Sequence, residues 1–75
     1  MNQLTVNDLL SLCADAKKNG YGDKQIIISN DVEGNGYHGL WYGLTTDPED
    51  IKMIVDGIYI SDSNTNNPED LVILG

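Results

Sequence analysis

Arginine is absent from this 75-residue chain, and four lysines face twelve acids for a formal charge of −8. Phosphate backbones and anionic lipid surfaces are held by Lys and Arg, so direct nucleic-acid binding and membrane-surface binding are both disfavoured. Cysteine is nearly absent too. Cys13 stands alone, so no disulfide forms within the chain, and a single thiol fits a reducing compartment. No apolar run approaches the ~20 residues of a membrane span. Residues Met1 to Leu12 hold polar Asn2, Gln3, Thr5, Asn7 and Asp8 and no basic start, unlike a secretory leader. These absences predict a soluble, cytoplasmic protein.

A catalytic set is also missing. The one histidine, His38, has no Ser or Cys at a recognisable motif spacing. A domain this small has little room for the cleft that paired carboxylates need. The expectation is a protein that is not an enzyme and holds no cofactor.

The length predicts one domain over residues 1–75. Such a chain buries only roughly 60% of its unfolded surface, which leaves a thin margin of stability. The charge is lopsided. From residue 45 onward seven acids face Lys52 alone, a net of −6, and the first 44 residues carry the remaining −2. An acidic surface serves solubility, and it also steers a chain toward a basic protein partner.

Val6, Leu9, Leu10, Cys13 and Ala16 recur at helical spacing. Thr5 is a good N-cap with Asp8 three residues on, and Leu4 and Leu9 occupy the staple positions. Lys17 and Lys18 suit the end of the helix dipole, and Gly20 suits a left-handed stop. The spacing predicts a helix over 6–19 with Cys13 on its buried stripe, a small core hydrophobe. Gln25–Ser29, with three consecutive isoleucines, reads as a covered strand. A second strand is expected over 37–45, with Leu40, Tyr42 and Leu44 beside His38 on one face and Tyr37, Gly39, Trp41 and Gly43 on the other. Leu40 and Leu44 mark the core side. Asp47-Pro48-Glu49-Asp50 combines a cap, an N1 proline and two acids, and predicts a helix over 48–56 ended by Gly57. Ile58–Ile60 and Leu71–Leu74 read as two more strands around the polar loop 61–70. The fold class expected is α+β, in the order α-β-β-α-β-β. The N-terminal helix would pack on a small, mostly antiparallel sheet of about four strands.

The stretch SNDVEGNGYHGLWYG at 29–43 is the strongest candidate site. Asn35-Gly36 is a type I′ hairpin signal, with Gly34 allowing a bulge or a longer loop. Asp31, Glu33 and Asn35 alternate oxygen-bearing side chains as calcium loops do, and so do Asp62, Asn64 and Asn66. Both sets lack the later bidentate Glu, and Asn67 stands where a sharp-turn glycine belongs. An Asn/Asp-rich turn accounts for each, no metal ligand is assigned, and an ion-dependent module is the alternative. A phosphate cradle is excluded, because the glycines join two strands and two acids flank them. Trp41 and Tyr37 remain. Burial under a second layer explains them slightly better than exposure. Exposed, they would anchor a protein partner, with Asp31, Glu33, Glu49 and Asp50 steering it, or hold two copies of the chain together.

The segments LTVNDLLSLC, IIIS, NDVEGNGY and DPED…YISDSNTNNPEDLVILG together resemble small acidic proteins encoded by bacteriophages and prophages. The resemblance spans most of the chain. It implies an intracellular accessory protein of unknown activity and carries over no catalytic residue. Small size, acidity and a helix followed by strands are also similar to some anti-CRISPR proteins, by analogy and without a shared motif. That likeness implies a nucleic-acid-mimicking inhibitor of a host defence effector.

Overall fold

Thr5 opens the first helix. Its hydroxyl accepts the Asp8 backbone N–H at 3.2 Å, and its own N–H donates to Asp8 Oδ2 at 2.9 Å, closing a reciprocal capping box. The computed structural model describes residues 3–75. Helix α1 spans Val6–Ala16 and runs on as a wider π turn, Lys17–Tyr21, in which Gly20 takes φ +90°. That left-handed residue fits the stop expected there.

Strand β1, Ile27–Ser29, pairs antiparallel with β2, Tyr37–Gly39, with Ile28 opposite His38. Strand β3, Leu44–Thr45, pairs antiparallel with β4, Ile73–Leu74, with Leu44 opposite Leu74. The Tyr42 N–H donates to the Gly75 carbonyl at 2.6 Å, and the Gly75 N–H to the Gly43 carbonyl at 2.9 Å, extending this second ladder. Helix α2, Pro48–Val55, starts as its sequence dictates. The Asp47 side chain accepts the Glu49 N–H at 3.0 Å, and Pro48 occupies the first turn. It packs on a short 3₁₀ turn, Pro68–Asp70, capped in the same manner by Asn67.

The described residues form an α+β architecture with two α-helices and four strands. Three details depart from the sequence expectation. The strands form two separate two-stranded sheets in place of one sheet. The strand expected over 37–45 is interrupted at Leu40–Gly43, where Gly43 adopts φ +84° and the backbone bends. Ile58–Ile60 forms no strand. The Ile58 N–H donates to the Val55 carbonyl at 2.9 Å, so this segment closes the end of α2 and finds no neighbouring strand to pair with. The element order is therefore α-β-β-β-α-β.

Burial is sparse. Ile51 of α2, at 0% exposure, is the sole fully buried side chain among the described residues. Leu40 is half-buried and Leu44 is largely exposed, so the expected core side of β2–β3 is thinly covered. Cys13 is exposed, and no residue of α1 is buried, which corrects its assignment to a core stripe. The spacing identified the apolar face, but this chain covers it thinly, with only Leu9 and Ala16 half-buried. Leu4, Val6 and Leu9 at the start of α1 share a groove with Leu44, Val72 and Leu74 of the second sheet. The chain exposes 6553 Å² and has a radius of gyration of 13.8 Å. A compact monomer of this mass exposes about 4,500 Å² with a radius near ~11 Å.

Candidate functional site

The loop between β1 and β2 is organised by one carboxylate. Asp31 Oδ1 accepts the backbone N–H groups of Glu33 at 3.0 Å and Asn35 at 3.1 Å, while Oδ2 accepts the Asn35 side-chain amide at 3.2 Å. The Ser29 hydroxyl donates to the Asp31 carbonyl at 2.6 Å, and the Asn30 N–H to the Gly36 carbonyl at 2.8 Å. This is the local side-chain-to-backbone bonding that favours Asp and Asn in turns. The expected type I′ turn at Asn35-Gly36 does not form. Neither residue has positive φ, and Gly34, at φ +72°, makes the left-handed step instead. The tight turn is Asp31–Gly34, closed by the Gly34 N–H on the Asp31 carbonyl at 3.3 Å and centred three residues earlier, and the Asp31 side chain supports it by gathering the N–H groups of residues 33 and 35.

Those bonds also set the electrostatics. The Asn35 backbone N–H, with smaller help from the Asn35 side chain and from Gly34 and Glu33, holds the Asp31 carboxyl below its ordinary value. Asp31 is thus an ionised group whose lone pairs are taken up by its own loop. Asn35 bridges it to Glu33, donating to Glu33 Oε2 at 3.3 Å. Among the described residues no group of three or more His, Cys, Asp or Glu side chains converges to hold a metal ion.

Tyr37 folds back over this loop. A Cβ placed on Gly34 would lie 2.8 Å from the Tyr37 hydroxyl, so a larger residue there would push the exposed Tyr37 ring aside. Tyr37 remains 61% exposed. Asp31, Glu33 and Tyr37 therefore lie close together on the surface.

Trp41 lies just beyond, and here the structure corrects the expected burial. Its side chain is 70% exposed. Its indole stacks on the His38 ring, with centroids 4.8 Å apart and planes at 21°. Strict alternation along a strand puts these two rings on opposite faces. The bend after Gly39 brings them to the same side. His38 Nδ1 lies 2.8 Å from the Gly39 carbonyl, and when that nitrogen carries the proton it donates there and fixes the ring under the indole. An exposed tryptophan with a defined orientation results.

Glu49 and Asp50 sit apart from this patch, exposed on the first turn of α2 against the Pro68–Asp70 turn. Two residues that the sequence gave no prominence belong with the patch. Val32, at the tip of the acidic loop between Asp31 and Glu33, is 96% exposed, and Tyr42, which alternation set on the core side with Leu40 and Leu44, is almost as open, which corrects that placement. An apolar residue set between two acids in a turn was the available signal for Val32. Val32 also borders an open groove lined by Gln3, Asp62, Ser63 and Asn64, so the two Asn/Asp-rich loops face one another. The second of these is held by its own hydroxyls. Thr65 N–H donates to Ser63 Oγ at 3.2 Å, and Asn67 N–H to Thr65 Oγ1 at 3.1 Å.

No described helix is long and apolar enough to cross a membrane. The arrangement offers what a binding surface needs: a positioned aromatic in Trp41, the exposed Tyr42 next to it in the chain, and exposed carboxylates in the adjoining loop, with Tyr37 on the face of β2 opposite the His38–Trp41 stack. The chain matches no protein-family model, no curated protein and no solved structure.

Proposed function

We propose that this chain is a non-enzymatic accessory protein of the kind that bacteriophages and prophages encode, working in the cytoplasm by binding another protein. Trp41 acts as the main anchor, and Tyr37, on the opposite face of β2, as a second. Asp31 and Glu33 at the rim, with Glu49 and Asp50 on α2, steer a basic partner toward them. The observation that carries this reading is Trp41, whose large apolar ring is left open to solvent yet oriented by its stack on His38. Tryptophan and tyrosine dominate the energetics of most protein interfaces, and a pre-oriented ring loses less freedom on binding. The charge of −8 supports a basic partner through long-range attraction.

The test is affinity capture from bacterial lysate with the wild type and with Trp41→Ala, each at low and at moderate salt. The expected result is a protein captured by the wild type, weakened by moderate salt, and lost with Trp41→Ala while the melting temperature is kept. Undiminished capture by Trp41→Ala would overturn the anchor role. If the captured protein handles nucleic acid, the surface acts as a mimic of the polyanion that protein normally holds.

A further inference from the structure

Helix α1 presents an apolar face that its own chain covers only in part: Leu9 and Ala16 are half-buried, and Val6 and Leu9 border the groove shared with Leu44, Val72 and Leu74. Leu10 is 67% exposed, Val6, Leu12 and Cys13 are exposed, and no residue of the helix is buried. The surface as a whole exceeds that of a compact monomer of this mass by about 2,000 Å². A stable two-fold interface removes about 800 Å² from each partner, and obligate ones remove more. The excess is spread over the whole chain, and it is larger than what such an interface removes from one partner.

Charge says which partner fits. Residues 1–24 hold Asp8, Asp15 and Asp23 against Lys17, Lys18 and Lys24, a net of zero, so the remaining residues carry the whole of the −8. Helix α1 is therefore the region where two copies of so acidic a chain meet without like-charge repulsion. The ends of the helix are also complementary to each other. Its start shares a groove with Glu69 and Asp70, and its end carries Lys17 and Lys18. An antiparallel pair brings the lysines of each copy to the acids of the other and opposes the two helix dipoles.

We propose that α1 is the interface of an antiparallel, two-fold symmetric homodimer. A two-fold axis at Ser11, the middle of Val6–Ala16, sets Leu9 against Cys13 and Val6 against Ala16 of the other copy. Each pairs a large side chain with a small one, the pattern that lets facing helices interdigitate at close approach. With axes ~8–10 Å apart, facing Cα atoms come within disulfide range, whereas the two Cys13 residues stand offset along the axis by about 6 Å. The aromatic patch takes no part, so this interface stands or falls independently of the partner-binding reading.

Sedimentation equilibrium and mild diamide oxidation test it. The wild type is expected at twice its 8.2 kDa chain mass at micromolar concentration, without covalent cross-linking. Leu10→Asp, at a site already open to solvent, is expected to weaken association at least tenfold, and Trp41→Ala to leave it unchanged. Leu9→Cys is expected to give a covalent dimer with Cys13 of the other copy, while Asp15→Cys on the opposite face gives none. A monomeric wild type at 100-fold higher concentration, a dimer untouched by Leu10→Asp, or equal cross-linking of the two cysteine variants would each overturn the proposal.

Discussion

The His38 ring lies under the Trp41 indole at a centroid distance of 4.8 Å, three residues apart across a bend, and shields one face of an otherwise open tryptophan. Because Trp41 is the only tryptophan, its fluorescence reports this contact alone. Replacing His38 by Ala removes the stacked ring and is expected to increase acrylamide quenching of the emission, with the far-ultraviolet circular dichroism unchanged. Equal quenching in the two proteins would mean that the stack does not hold the indole in solution.

Gly34 and Tyr37 form a second pair with a measurable coupling. Gly34→Ala meets two obstacles: φ of +72°, strained for a residue with a Cβ, and the Tyr37 hydroxyl 2.8 Å from where that Cβ would sit. Gly43→Ala meets only the first, at φ +84°, with nothing within 4 Å. The backbone strain costs about 1–2 kcal/mol at either site. Gly34→Ala is expected to be the more damaging of the two, and the gap is expected to close in a Tyr37→Phe background. Urea denaturation of the four single and double variants measures it.

Ile51 concentrates the packing. As the one fully buried side chain described, it anchors α2 to the rest of the chain. Ile51→Val is expected to cost about 1 kcal/mol and Ile51→Ala about 2–5 kcal/mol. Met53, two residues on and highly exposed, serves as the control, with Met53→Ala expected to stay within about 0.5 kcal/mol. Chemical denaturation midpoints decide between a focused core and a diffuse one.

Acid sensitivity follows from two carboxylates. Asp8 is held below its ordinary value by the backbone N–H of Thr5, and Asp31 by that of Asn35. A carboxyl whose pKa is depressed on folding adds stability above its unfolded value, and that stability is lost as pH falls through the folded one. The melting temperature is therefore expected to decline below about pH 4. Asp31→Asn keeps an acceptor oxygen but cannot titrate, and is expected to make the decline shallower. A thermal melt series across that range gives the answer.

Both helix starts were legible in the sequence because their causes are local. Thr5 with Asp8, and Asp47 with Pro48, act within four residues of themselves. The hairpin was legible as well, although its turn was not. Asn35-Gly36 is a strong statistical signal, but Asp31 competes for the same backbone groups and wins. What stayed illegible depends on partners distant in the chain. Ile58–Ile60 has strand-forming residues and no strand beside it, and β-propensity is fulfilled only by a neighbour. The stripe through Cys13 was visible, but a stripe does not say what covers it. Trp41 and Tyr37 were identified from residue type and spacing. The contact with His38 was not, because alternation holds only while the strand stays straight.

The ladder between β3 and β4 joins residues far apart in sequence, with α2, the Pro68–Asp70 turn and the polar segment 61–67 enclosed between Thr45 and Ile73. The entropy of closing such a loop grows only with the logarithm of its length. Eight residues added within it raise the closure cost by about 0.2–0.3 kcal/mol. Segment 61–67 holds itself through short-range bonds among Ser63, Thr65 and Asn67. The stretch at Ser61 and Asp62, ahead of those bonds and away from the caps of both helical turns, is therefore where this small chain would accept a grafted peptide, an epitope or a reporter without surrendering its fold.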